Sequence, residues 1–494
     1  MLLAIFVFCF AVIPAFASDC TAPVQFYWVQ GTTLNIPLNI SFGENVAAIG
    51  DIDGDGKMDF AVGCPRASPY QDGPRGSVYV YSGGTGSFLY QINGNISGDY
   101  IGQAIAGVSD VNGDGNSDLI AGGFLPPRIS FYSGPDGAPL YEVYLPVANF
   151  DLTSIAEIGD LNGDGRPDLV IGVPVAGAVF VYSVADDSIL YQINGNSSDY
   201  FGKSVAGIGD VNDDGNADFV FGAPFFDASS GSYLSDFGAV YVYSGIDGTP
   251  LGRVDGTSQK DYLGWSASKV GDFDKDGKSD FIGGGPFLGW SGIPARPSYT
   301  KTYSSISEEL LLTKSSAPMS NFGWSVKELS DVDGDGLRDF MVGAPGGFDL
   351  ILGLGSVGAI FVYSGSDGSL IYKTETPLRE WDSFGTSIAD LGDLDGNGKA
   401  DILIGAPEDS PGIRGTHPGS VYVFASKTVP KGDLNFDSTL TIADVANLLN
   451  VAFIDNSLAL SPCTADLNCD GSFSAADIVL LLNRIFSQTP LPCS

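Results

Sequence analysis

Apolar and polar residues alternate in short runs along most of the chain, as in Val78-Tyr79-Val80-Tyr81 and Ala239-Val240-Tyr241-Val242-Tyr243, and each run ends among Gly and Asp. A period of two bounded by turn residues predicts strands. Segments such as Val205-Ala206-Gly207-Ile208 and Phe219-Val220-Phe221-Gly222 flank an acidic stretch, which therefore closes a β-hairpin. A second hairpin follows, its strands 239–243 and a short segment at Leu251 joined by Gly245-Ile246-Asp247-Gly248. Beyond Lys427-Thr428-Val429-Pro430-Lys431 the period becomes helical. Ile442, Val445, Leu448, Leu449 and Ala452 share one face, as do Ile478, Leu481, Leu482, Ile485 and Phe486. Each helix alone is marginal at that length, so the two are expected to pack together. At the other end, the apolar run from Leu2 to Ile13 and the small residues of Ala15-Phe16-Ala17 predict a signal peptide over 1–17 and export. A membrane anchor is the alternative, but the run is short for a span, and no later segment is long and apolar enough to cross a bilayer.

Between the strands one nine-residue loop, D-x-[DN]-x-[DN]-G-x-x-D, recurs seven times at intervals of 50 to 62 residues, the mark of a repeat fold. The first copy offers Asp51, Asp53, Asp55 and Asp59, and the second Asp110, Asn112, Asp114 and Asp118. The third has Asp160, Asn162, Asp164 and Asp168; the fourth has Asp210, Asn212, Asp214 and Asp218. Asp272, Asp274, Asp276 and Asp280 form the fifth, and Asp331, Asp333, Asp335 and Asp339 the sixth. The last comprises Asp393, Asp395, Asn397 and Asp401. Oxygens at positions one, three, five and nine, with a main-chain carbonyl at seven, can surround one hard cation. Glycine at position six, and usually at four, supplies the left-handed backbone that turns them inward; in the fourth copy Asp213 takes position four. Unit charges about 4 Å apart repel by roughly 4 kcal/mol at an effective dielectric near 20. One Ca2+ per loop, about seven in all, relieves that repulsion, and with free ion at about a hundred times its Kd each adds roughly 2.7 kcal/mol to folding. Plain polar turns are the alternative, but they do not keep five ligand positions through seven copies. Two hairpins per repeat make a four-stranded blade, and seven blades close a ring with few free edges.

The pairs Phe42-Gly43, Phe201-Gly202, Phe322-Gly323 and Phe384-Gly385 are each followed about twenty residues later by Gly63-Cys64-Pro65, Gly222-Ala223-Pro224, Gly343-Ala344-Pro345 and Gly405-Ala406-Pro407. These residues resemble FG-GAP repeats, which build the propeller of integrin α-subunits and related secreted proteins. The resemblance implies an all-β fold, a seven-bladed β-propeller over 18–428. Three departures predict less regular blades: Phe150-Asp151 in repeat three, Gly122-Gly123-Phe124 in repeat two, and no clear V-Y-V-Y strand between Pro286 and Tyr303 in repeat five. Repeat seven ends with Val421-Tyr422-Val423-Phe424 and lacks an outermost strand, which the stretch from Val24 to Val29 is expected to supply.

In the tail, Asp433, Asn435 and Asp437, with Thr441 and Asp444, open one loop-helix unit; Asp466, Asn468 and Asp470, with Gly471, Ser474 and Asp477, open another. Two further Ca2+ are expected there. The duplicated Gly-Asp-Leu-Asn start and position-twelve Asp resemble a type I dockerin over 429–494, paired half EF-hands following a small α-helical design, which implies a cohesin-like partner. The specificity positions hold Ile442-Ala443 and Ala475-Ala476 rather than hydroxyl pairs, so another extracellular protein partner stays open.

The formal charge of −36 excludes general nucleic-acid binding, which needs a basic footprint. His417 is the only histidine, which argues against histidine triads and His-ligated zinc. Glu44, Asp99, Glu142, Glu157 and Asp382 form no recognisable constellation for carboxylate-pair catalysis. Trp265, Trp290, Trp324 and Trp381 are expected to pack more readily than to stack on sugars. Cys463 with Cys493, and less convincingly Cys20 with Cys64, are candidate disulfides in an exported chain, and Asn39, Asn95 and Asn196 begin N-x-Ser sequons. The expected protein is a secreted, non-catalytic recognition or adhesion scaffold, with a protein or glycan bound on the face opposite the calcium hairpins and a tail that tethers it. An enzyme or component of extracellular polysaccharide degradation is the alternative.

Overall fold

The computed structural model describes the strand Cys20–Gln30, residues 41–429 and residues 480–481, apart from 69–72, 125–126, 148–153, 228–235, 288–296, 319, 347, 350–353, 356, 376–381 and 409–417. The signal, the dockerin-like tail with its ligands, His417, Trp290, Trp381 and the Phe150-Asp151 pair lie outside the described residues.

Among the described residues, seven antiparallel four-stranded sheets follow one another as blades, the first six laid down in chain order from the innermost strand outward. In blade 1 these strands are Asn45–Gly50, Asp59–Cys64, Ser77–Tyr81 and Phe88–Asn93. The innermost strands of blades 2 to 7 are Ile105–Val108, Ser154–Gly159, Val205–Gly209, Ser266–Val270, Ser325–Leu329 and Ser387–Gly392. They adjoin one another around the ring, and blade 7 touches blade 1. Blade 7 is completed as expected: Cys20–Gln30 lies beside Ser420–Val429, so chain start and ring end share one sheet.

The predicted period of two survives in part in the outer strands: in Pro139–Tyr144, half-buried and exposed residues alternate over 141–144, after a bulge near the start of that strand. It fails in the second strand of every blade, such as Asp168–Val173 and Asp401–Ala406, in which every residue is buried. Those strands are packed on both faces, and their sequence is accordingly a continuous apolar run. Among the described residues, most buried apolar side chains fall into seven clusters, each drawing on two successive blades. One joins Phe60 and Tyr79 of blade 1 to Leu403 and Val423 of blade 7. The core therefore lies in the seams between blades.

The FG and GAP glycines explain how the seams lock. Within a blade the FG glycine N–H donates to the GAP glycine carbonyl, as Gly43 to Gly63 at 3.2 Å and Gly385 to Gly405 at 3.0 Å. Across the seam, a Cβ on the GAP glycine would fall 1.9–2.2 Å from the FG-turn glycine carbonyl of the next blade at Gly63, Gly172, Gly222, Gly284, Gly343 and Gly405. A serine two residues after the pair donates to that same carbonyl: Ser266 to Gly323 at 2.8 Å, Ser325 to Gly385 at 2.8 Å, and Ser387 to Gly43 at 2.9 Å. The last of these closes the ring.

Two of the departures still form complete four-stranded blades, although blade 5 carries an extra register shift between Pro297 and Tyr299 where its third strand pairs with its fourth. Blade 5 has a full third strand, Pro297–Tyr303, paired from Tyr299 to Tyr303 against Asp280–Gly285. Thr300 and Thr302 occupy the buried positions that Val78 and Val80 fill in blade 1, and threonine suits a strand through its branched Cβ. In blade 2, Gly123 pairs with Arg128 without a bulge. A Cβ there would lie 2.7 Å from Asp99 Oδ1 and 2.8 Å from Arg128 Nη1, so glycine makes room for a buried ion pair.

Around the axis the innermost strands enclose a cavity of about 540 Å³. Small apolar residues line it on blades 1, 2 and 4, whereas Glu157, Lys269, Lys327, Glu328 and Asp390 bring charge from the others.

Candidate metal centres

Each acidic loop connects the innermost strand to the second strand, and therefore sits at one end of its blade. Its hydrogen bonds repeat in all seven copies. The position-one carboxylate accepts the position-six N–H, at 2.8 Å for Gly56 to Asp51 and 2.7 Å for Gly398 to Asp393. The position-three oxygen accepts the N–H of position five, as Asp333 does from Asp335 at 3.0 Å. Position five accepts from position seven, as Asp276 does from Lys278 at 2.8 Å. These bonds bend the loop around its own oxygens, with Gly54 and Gly56 at φ 79° and 84°. At position four, Asp213 adopts φ 61° and Lys275, a second replacement of glycine that the sequence reading passed over, adopts φ 64°.

Position nine is the anchor. Asp59, Asp118, Asp168, Asp218, Asp280, Asp339 and Asp401 are all fully buried. One carboxylate oxygen accepts the position-two N–H, from Ile52, Val111, Leu161, Val211, Phe273, Val332 and Leu394, at 2.7–2.9 Å. In six blades the other oxygen accepts an N–H from the far end of the third strand, for example Gly83 to Asp59 at 2.8 Å and Gly365 to Asp339 at 2.9 Å. Burial pushes Asp59 and Asp401 up to about 6 and Asp280 and Asp339 up to about 7, and neighbouring loop carboxylates add to the rise. Such a group holds its proton too tightly for a surface acid and favours a cation beside it.

Four loops gather three carboxylates whose oxygens lie within 4.8 Å of one another: Asp51, Asp53 and Asp59; Asp272, Asp274 and Asp276; Asp331, Asp333 and Asp339; Asp393, Asp395 and Asp401. Loops two, three and four carry Asn112, Asn162 and Asn212 at position three, so an amide oxygen replaces one carboxylate within the same bonding pattern. The donor set is all oxygen, partly buried and short of positive charge, which fits a hard divalent cation.

One feature escaped the sequence reading. Position seven is basic in blades 1, 3, 5 and 7, and each of these cations crosses to the loop of the preceding blade. Lys57 Nζ donates to Asp393 O at 3.1 Å, Arg166 Nη1 to Val111 O at 2.7 Å, Lys278 Nζ to Asp210 O at 2.8 Å and Lys399 Nζ to Val332 O at 2.8 Å. The even blades hold Asn116, Asn216 and Leu337 instead. The alternation is visible in the sequence once the loops are aligned, but its meaning needs the ring.

The remaining acids are structural. Arg128 makes a bidentate pair with Asp99, at 2.8 Å to each oxygen, and a third bond to Glu142 at 3.0 Å. Glu157 accepts from the Ser109 N–H at 3.0 Å. Glu44 lies 4.0 Å from Arg66, and Asp382 is buried on the far side of the ring.

The FG-GAP repeat matches residues 42–81, 201–243, 322–363 and 384–424, and the FG-GAP-like repeat matches 110–171. Integrin alpha-5 of Xenopus laevis is 34% identical over 171 residues, 33% of this chain and 15% of the integrin. Integrin alpha-V of Gallus gallus is 33% identical over 175 residues, again 33% and 15%, and integrin alpha-PS2 of Drosophila melanogaster is 37% identical over 110 residues, 21% and 8%. The shared region is thus a small part of each integrin. The structure titled "Crystal structure of BBS1N in complex with ARL6DN, soaked with lead" superposes with a TM-score of 0.50 at 12% identity, covering 83% of this chain and 98% of that one, a likeness of fold alone. With its glycine-locked seams and matching repeats, the chain is a seven-bladed β-propeller that carries FG-GAP repeats and is homologous to integrin α-subunits over about a third of its length.

Proposed function

We propose that the protein is an extracellular, non-catalytic recognition scaffold whose ring is stiffened by one Ca2+ in each of the seven loops. The observation that carries this reading is the buried position-nine aspartate, repeated seven times beside two or three further loop oxygens. Asp51, Asp53 and Asp55 with Asp59, and their counterparts in the other loops, would hold the ion; bound there, it neutralises carboxylates that the fold has already gathered. The opposite face, where the loops joining second to third strands emerge, is free to vary and to bind a protein or glycan. The signal sequence would export the chain. The loops beginning at Asp433 and Asp466 would bind two more Ca2+ and tether the ring to a cohesin-like or other extracellular protein. Metal analysis after dialysis is expected to give about nine Ca2+ per chain, by the oxygen-ligand count above. A chelator is expected to lower the melting temperature steeply; identical melts with and without it overturn the reading. Sustained release of reducing sugar from a polysaccharide panel would overturn its non-catalytic part.

A further inference from the structure

The turn that carries each FG pair is a second repeated structure, at the end of the blades opposite the acidic loops. In six blades a non-glycine residue sits left-handed just before the pair: Ser41, Tyr100, Tyr200, Tyr262, Asn321 and Ser383, at φ 50–57°. Bulky residues avoid this region, and backbone held there collects where a site needs fixed geometry. The carbonyl of each accepts the N–H of the residue after the pair, at 3.0–3.2 Å, in Glu44, Gln103, Lys203, Trp265, Trp324 and Thr386. Those six residues lead into the innermost strands and so stand around one mouth of the axial cavity.

Neighbouring blades place Trp265 and Trp324 side by side there, their ring centroids 4.9 Å apart at 50°. Phe225 meets Trp265 edge-on at 6.4 Å, and the Lys203 ammonium lies 5.3 Å from the Trp265 ring. Both indoles are half-buried, and neither belongs to the apolar clusters of the two seams they straddle. Neither indole N–H is bonded to a described residue, although buried tryptophan normally finds such a partner. The pair thus lies outside the apolar core clusters.

We propose that Trp265 and Trp324, flanked by Lys203, form a stacking platform for a neutral carbohydrate. This deepens the recognition reading above and rests on it. Sugar rings present C–H faces to an indole and hydroxyls to its N–H. Charge narrows the class. The Lys203 ammonium already lies over Trp265, which disfavours a second cation such as an arginine side chain. The formal charge of −36 disfavours a polyanionic glycan.

The test titrates the calcium-loaded full chain with neutral hexamers of β-1,4-linked glucose and β-1,4-linked N-acetylglucosamine, a hexagalacturonate and a hexaarginine peptide, read by tryptophan fluorescence and calorimetry. At least one neutral hexamer is expected to quench and bind. Trp265→Ala and Trp324→Ala are each expected to weaken it by about tenfold or more, as for a buried aromatic anchor, and Trp324→Phe to restore most of the loss. The inference is overturned if no neutral hexamer binds, if only a charged probe does, if the double alanine variant binds as wild type, or if the variants lose melting temperature while keeping affinity. A chelator melt on the same samples separates the two readings: retained chelator sensitivity with no sugar binding removes only the platform, whereas insensitivity removes the calcium scaffold beneath it.

Discussion

Asp339 and its counterparts at position nine do two jobs with one carboxylate. In six of the seven, each oxygen is used by a backbone N–H, which fixes the loop to the third strand, and the residual negative charge is buried with other acids nearby. The acid form is therefore favoured in the folded chain. With folded values of about 7 for Asp280 and Asp339 and about 6 for Asp59 and Asp401, all above the ordinary 3.8, the sign is opposite to that of a salt-bridged aspartate. Their contribution is fully present below pH 3.8 and is lost as pH rises through the folded values. Chelated protein is thus expected to melt at a higher temperature at pH 5 than at pH 8, and calcium-loaded protein at a lower one, because protons then compete with the ion. Melting curves at both pH values, with and without chelator, check this. A second contrast concerns glycine. Gly343→Ala drives a Cβ to 2.2 Å from the Gly385 carbonyl, a backbone atom of the next blade that cannot swing aside, and is expected to cost about 3 kcal/mol. Gly336→Ala meets nothing within 4 Å and suffers only its φ of 88°, so about 1 kcal/mol is expected. Denaturant unfolding of the two variants distinguishes a seam glycine from a loop glycine.

Within the blades, the acidic hairpin is joined to its neighbour by the position-seven cations. Lys399 is half-buried against Val332 O, and burial holds its ammonium below the usual lysine range. Lys57, Arg166 and Lys278 likewise donate to main-chain carbonyls across three other seams. Seven is odd, so an alternating pattern must place two basic blades together, and it does so at blades 7 and 1, where the ring closes. Removing one such bond leaves a carbonyl short of a partner. Lys399→Ala is expected to lower stability by about 1 kcal/mol, read by denaturant unfolding, whereas Leu337→Ala, in a blade without the bond, has no such hydrogen bond to lose. The third strand of blade 5 carries a related lesson: Pro297–Tyr303 forms despite a pattern unlike its counterparts, because its place between two strands supplies the pairing that its own residues signal weakly.

The ring as a whole depends on its first strand. Cys20–Gln30 lies beside Ser420–Val429, so the outermost strand of the last blade comes from the start of the chain, and the two ends of the repeat array are held in one sheet. Deleting residues 18–31 is expected to lower the melting temperature sharply and to broaden the transition as blade 7 frays; a differential scan checks it. Much of this architecture was legible beforehand. Seven acidic loops, two hairpins each and an unfinished last blade are statements about local spacing, and the left-handed backbone at Asp213 follows from the loop chemistry alone. What local pattern could not supply were the relations between residues far apart in the chain. Asp99, Arg128 and Glu142 gave no sign of sharing one buried network until Gly123 was seen to make room for it. Trp265 and Trp324 are 59 positions apart in sequence yet lie against each other, because successive blades repeat the same turn. The chain by itself determined the repeating unit, since hydrogen-bonding turns and alternating apolarity act over a few residues. Only the tertiary structure decided what the units do to one another, because the seams, the crossing cations and the axial mouth exist only where distant copies are brought within contact distance.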